Sequence, residues 1–144
     1  MSPDGVVQLL RSADEGETWS LLSRPFSGEY NGRHGDLLLA ALGSCRDGRL
    51  VALIGWNDRD DLSREWRNRD TDGRLPLKLL KSLSDDGGAT WSELDEIDVS
   101  PCRQAVPQSV CTLSSGRLLC SFETFKDYDD PRPWRYQAGL VHSD

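Results

Sequence analysis

Apolar residues along this chain fall into short runs, five to ten positions long, separated by glycine, proline, aspartate and serine. This pattern predicts strands joined by tight turns instead of helices. In the middle of the chain "DLLLAALGSC" (36–45) passes through "RDGR" into "LVALIGWN" (50–57). The Asp47-Gly48 pair predicts a two-residue hairpin turn, since glycine supplies the positive φ such turns need. Leu50 to Ile54 is apolar at every position, so that strand is expected to be buried on both faces. A long polar loop follows, then "LPLKLLKSL" (75–83) and "TWSELDEIDV" (90–99) as third and fourth strands. The order then restarts with "AVPQSVCTL" (105–113), the turn "SSGR", "LLCSFETF" (118–125), another polar loop, and "RYQAGLVHSD" (135–144).

The chain repeats itself. "SADEGETW" places Ser12, Asp14, Gly16, Thr18 and Trp19 at the spacing at which "SDDGGATW" places Ser84, Asp86, Gly88, Thr90 and Trp91. "DGRLVALIGW" is echoed by "SGRLLCSFET" in the same order relative to those motifs. The unit is therefore one four-stranded module of about 70 residues, used twice. The eight-residue motif falls where the third strand must reverse into the fourth. Asp14 and Asp86 are expected to accept turn amides and to bond the Ser or Thr hydroxyls. The tryptophans are expected to bury their rings between neighbouring sheets. The motif reads as a folding clip and not as a catalytic aspartate.

Composition narrows the function. A formal charge of -7 and a pI near 4.8 argue against a nucleic-acid partner. No run approaches the roughly 20 apolar residues of a membrane-spanning helix, and "MSPDGVV" does not read as a signal peptide. Cys45, Cys102, Cys111 and Cys120 lack zinc-type spacing. Cys111 and Cys120 flank "SSGR" symmetrically, which predicts that they face each other across a hairpin, as buried thiols or as a disulfide. Asn68, Asp70, Asp72 and Gly73 match the first half of a calcium loop, but Leu79 stands where its closing glutamate belongs. No metal and no cofactor is expected.

Both copies of S-x-D-x-G-x-T-W resemble the Asp-box, or BNR repeat, of sialidase-like β-propellers at every fixed position. The resemblance implies an all-β fold of four-stranded antiparallel blades, six of which close around a channel in that family. On this reading residues 1–26 end one blade, 35–100 form a complete blade, and 104–144 form most of the next. The remaining blades would lie outside this chain, and Ser143-Asp144 resembles the start of a third Asp-box. The implied partner is a glycan or glycoconjugate.

Within that plan the hairpin turns share one end with the Asp-boxes, and the long charged loops gather at the other. The first loop, "WNDRDDLSREWRNRDTDGR" (56–74), offers Arg59 and Arg64 as clamps for a sugar carboxylate, and Asp60 and Asp61 as general acids. The alternative for these arginines is a solvated loop of mutual ion pairs. The second stretch, "FETFKDYDDPRPWRY" (122–136), offers Glu123 and Tyr128 as the glutamate–tyrosine pair of sialidases, with Arg132, Trp134 and Arg135 as sugar contacts. Ala105 stands where the family's early Arg-Ile-Pro arginine would fall. In the other register Pro107 takes the family glutamate's place and Glu123 that of a triad arginine. The catalytic set is thus incomplete here. The resemblance implies an exo-α-sialidase or related glycoside hydrolase; the competing expectations are a non-catalytic glycan- or protein-binding propeller and a purely structural repeat.

Overall fold

A computed structural model describes residues 6–133 and 137–143. Every regular element in it is a strand, and all pairings between strands are antiparallel. The first sheet pairs β1 (Leu9–Arg11) with β2 (Ser20–Ser23). The central sheet runs β3 (Glu29–Tyr30), β4 (Arg33–Ser44), β5 (Leu50–Asp58), β6 (Leu77–Ser84) and β7 (Asp95–Glu96) in that order. The third sheet sets β9 (Leu118–Thr124) between β8 (Ala105–Thr112) and β10 (Ala138–His142). The fourth strand expected over 90–99 shrinks to the two residues of β7.

β5 is buried from Val51 to Asp58, as its unbroken apolar run predicts. Strand alternation sends Ala52, Ile54 and Trp56 to one face, where they meet Phe26, Leu37 and Leu80. Val51 and Leu53 point to the other face, against Leu79, Ala105, Cys120 and Phe122. Each such fully buried aliphatic or aromatic side chain contributes about 1.5–3 kcal/mol. The central sheet is therefore the filling of two cores, and it fixes the loops that leave its ends.

The two S-x-D-x-G-x-T-W turns fold identically. Ser12 Oγ donates to Asp14 Oδ1 (2.7 Å), Gly16 N to Ser12 Oγ (2.8 Å), and Thr18 N and Oγ1 to the two Asp14 oxygens (2.9 and 2.5 Å). The same bonds link Ser84, Asp86, Gly88 and Thr90 at 2.9, 2.9, 2.9 and 2.6 Å. Each tryptophan Nε1 donates to the carbonyl of the motif glycine, at 2.9 Å for Trp19 and 3.0 Å for Trp91. Bonds from the Thr hydroxyl, the Thr amide and the Ser hydroxyl hold both aspartates at a pKa of about 2, below the ordinary 3.8. The depressed folded-state values mean that the stability these bonds give is present above the ordinary pKa and fades as pH falls toward 2. Melting curves from pH 7 to pH 2.5 should therefore show an acid-side loss that is reduced in Asp14→Asn and Asp86→Asn. The second motif should matter more, because Ser84 is buried and Trp91 meets Phe26 edge-on at 5.8 Å. Trp19, by contrast, is 62% exposed, which corrects the expectation of a buried ring: it follows β1 in a sheet of only two strands.

The hairpins depart from expectation by one residue. Gly48 N bonds Cys45 O (3.1 Å) and Cys45 N bonds Arg49 O (2.7 Å), so the loop is Arg46-Asp47-Gly48, three residues long. The 113–117 turn closes the same way, with Gly116 N on Leu113 O and Leu113 N on Arg117 O, both at 2.8 Å. A three-residue loop ends on a left-handed residue, and Gly48 (φ 88°) and Gly116 (φ 92°) take that place. The extra residue moves the register, so Cys120 lies opposite Val110 and Cys111 opposite Leu119. A shift of one residue turns a side chain to the other face. Cys120 is buried, its thiol pushed up to about 11 by desolvation, while Cys111 is exposed, and both are free thiols. The facing pair is thus corrected. A thiol reagent is expected to label Cys111 in the folded protein and Cys120 only after unfolding, which mass spectrometry would read directly.

Candidate functional site

Two long loops leave the same end of the sheets. Residues 59–76 join β5 to β6, and 125–137 join β9 to β10. They are docked on each other through backbone. Arg74 forms a bridge to Asp127, and its N–H donates to Lys126 O (3.1 Å). The Tyr128 carbonyl accepts from Thr71 Oγ1 (2.5 Å) and Asn68 Nδ2 (3.1 Å). Gly73 makes the approach possible: a Cβ there would lie 2.3 Å from Asp127 O and 2.6 Å from Tyr128 Cα. Gln104 completes the junction from the connector before β8, accepting from Leu77 N (3.1 Å) and donating to Asp127 Oδ1 (2.8 Å).

Cations stack on aromatic faces across this junction. The Arg64 guanidinium lies 4.1 Å above the Tyr128 ring and 3.6 Å from Asp129. Arg74 lies 4.3 Å from the Trp66 ring centre and 5.4 Å from that of Phe125. Arg64 and Tyr128, which belong to different loops, therefore meet. Beside them opens a polar cleft of about 420 Å³, bounded by Cys102, Arg103, Thr124, Lys126, Asp130 and Arg132. Lys126 is 9% exposed and donates to Arg132 O (2.6 Å), while Arg103 stands 3.5 Å from Asp127.

Other expected residues are occupied by the scaffold. Asp60 accepts the His34 amide (2.7 Å) and lies 3.4 Å from Arg33. Asp61 caps its own turn, accepting from Ser63 N (3.0 Å) and Oγ (2.6 Å), which holds its carboxyl below the ordinary range. Arg59 pairs with Asp36 at 3.3 Å and donates to Arg64 O (3.1 Å). Arg132 forks onto Asp130, with Nε at 2.9 and 3.0 Å from its two oxygens, and holds that carboxyl well below the carboxylate range. Glu123 sits within β9 between Val106 and Ala138 and accepts from Gln108 (3.4 Å). No hydrogen bond joins it to Tyr128 among the described residues. Trp134 and Arg135 lie outside the described residues. In the half calcium loop, Asp72 forms an ion pair with Arg67 and Asn68 bonds Tyr128 O.

Gln104, Arg103, Lys126 and Asp127 were not singled out by sequence reasoning. Lys126 carried a signal, as the single lysine of an acidic, aromatic loop; Gln104 carried none, because its role depends on β6 and the second loop meeting it in space.

No family model matches this chain, and no curated protein matches it. Among solved structures it superimposes on a sialidase-like all-β fold. The structure concerned is Hadza microbial sialidase Hz136, with a TM-score of 0.69 and 22% identity over 96% of this chain. The chain spans 29% of the length of that protein.

Proposed function

We propose that this chain is part of a carbohydrate-active β-propeller of the sialidase superfamily, acting as an exo-α-sialidase or related glycoside hydrolase on terminal sugars. In this reading the Ser-Asp-Gly-Thr-Trp turns are Asp-boxes, and residues 1–26, 35–100 and 104–144 belong to three successive blades of six. The glycan lies on the loop face. The observation that carries the reading is the docking of the two loops into one cationic, aromatic wall, with Arg64 over Tyr128 beside a cleft lined by Arg103, Lys126 and Arg132. Guanidinium groups orient carboxylates, and aromatic faces take the apolar side of a sugar ring.

A second reading, glycan binding without turnover, is favoured by a separate observation: Glu123 bonds Gln108, and Tyr128 lies beneath Arg64. A tyrosine nucleophile needs its activating carboxylate within hydrogen-bond reach.

Saturation-transfer NMR with sialyllactose, run beside a fluorogenic sialoside assay, separates the two. Transfer to the terminal sugar that falls about ten-fold in Arg64→Ala supports the site in either form. Turnover lost on Glu123→Ala would establish the hydrolase, and binding without turnover the lectin-like form. Absence of both would overturn the proposal.

A further inference from the structure

At the opposite end of the sheets the fold gathers positive charge. The 46–48 turn contributes Arg46, with Arg49 just beyond it; β6 contributes Lys81, and the 113–117 hairpin Arg117. They surround a cleft of about 700 Å³ floored by Val51, Leu83 and Leu118. Asp47 is the one carboxylate of its lining among the described residues, in a chain whose formal charge is -7. Acids thus dominate the molecule as a whole, while this hollow concentrates cations drawn from segments far apart in sequence.

The four cations are differently engaged. Arg49 bonds Asp47 (2.8 Å) and lies 3.9 Å from Asp85; Lys81 pairs with Asp95 at 3.1 Å. Arg46 runs along Gly116, its Cδ 3.5 Å from where a Cβ would stand, and donates through Nη2 to the Ser114 carbonyl. That bond fixes the direction of the side chain, but its acceptor is neutral. The Arg117 side chain makes no hydrogen bond or ion pair with the described residues, and its backbone N–H bonds Ser115 Oγ at 3.4 Å. Two guanidinium groups without carboxylate partners among the described residues therefore overhang an apolar floor.

We propose that this cleft is a second binding site, separate from the loop face, for an organic anion: a carboxylate, sulfate or phosphate carried on an apolar body. The anionic head is held between Arg46 and Arg117, whose forked donors match its oxygens. The apolar body covers the half-buried Leu83 and Leu118. Cations on low-dielectric walls focus the field that draws such a ligand in.

The test is titration of the whole chain with phenyl sulfate at low ionic strength, followed by NMR or calorimetry, with inorganic sulfate in parallel. Saturable binding of phenyl sulfate is expected, about ten-fold tighter than inorganic sulfate and weakened about ten-fold by Arg46→Ala with Arg117→Ala. Lys78→Ala, which removes a cation outside the cleft, should leave it unchanged. Arg117→Ala alone tests the site even if the double variant unfolds, since that side chain bonds nothing among the described residues. Affinity unaltered in Arg117→Ala, inorganic sulfate binding as tightly as phenyl sulfate, or no saturable binding would each overturn the proposal.

Discussion

Trp56→Ala is expected to cost about 3–5 kcal/mol of unfolding free energy, a large share of what holds a small domain together. The ring is 3% exposed in the core between Phe26, Leu37 and Leu80, and it meets Tyr30 edge-on at 5.8 Å. Its Nε1 also donates to Gly28 O (2.8 Å), tying the connector before β3 to the central sheet. Alanine removes packing and tether together, so the connector should also become susceptible to protease. Trp56→Phe keeps most of the ring and removes only one of the two donors to the Gly28 carbonyl, which still accepts from Gly35 N (3.0 Å), for about 0.5–1.5 kcal/mol. Urea unfolding of the three proteins gives the comparison. Equal losses for the two variants would show that the hydrogen bond, and not the packing, is what matters at this position.

Gly73→Ala should act on the loop face more than on the sheets. The new Cβ would meet Asp127 O at 2.3 Å and Tyr128 O at 2.5 Å. These are backbone atoms, which cannot rotate away as a side chain does, so the loops must part. Overpacking of this kind costs about 1–3 kcal/mol. Parting also strains the Thr71 and Asn68 bonds to Tyr128 O and shifts Tyr128 from beneath Arg64. The sugar binding proposed for the loop face should fall by at least as large a factor as stability. Thr71→Val, which at similar volume removes the hydroxyl that donates to Tyr128 O and accepts from Gly73 N (3.1 Å), adds no clash and should cost about 0.5–1.5 kcal/mol for each bond lost. Measured side by side, melting and sialyllactose binding would separate the effects. Loss of melting temperature with binding intact would mean that the loop junction is not part of the site.

Much of the fold is legible in local sequence pattern. The apolar run of β5 has one outcome, burial on both faces, and it is buried from Val51 to Asp58. The spacing of Ser, Asp, Gly and Thr in the two motifs is local chemistry, complete within eight residues, so both copies make the same bonds. Other features were settled only when distant segments met. Whether the hairpin turns hold two residues or three depends on how the flanking strands pair, and that one residue set Cys111 and Cys120 on opposite faces. Trp19 and Trp91 sit in the same motif, yet one is exposed and the other packs on Phe26, because burial belongs to the neighbouring sheet and not to the tryptophan. The candidate site follows the same rule. Charge in the 56–74 loop was visible in the sequence, but not the division of labour by which Asp60, Asp61 and Arg59 serve the scaffold while Arg64 faces Tyr128. Patterns of period two and short-range turn chemistry are encoded locally, so the sequence alone determines them. Partner choice among many like charges is decided by distance in space, and only the tertiary structure sets those distances.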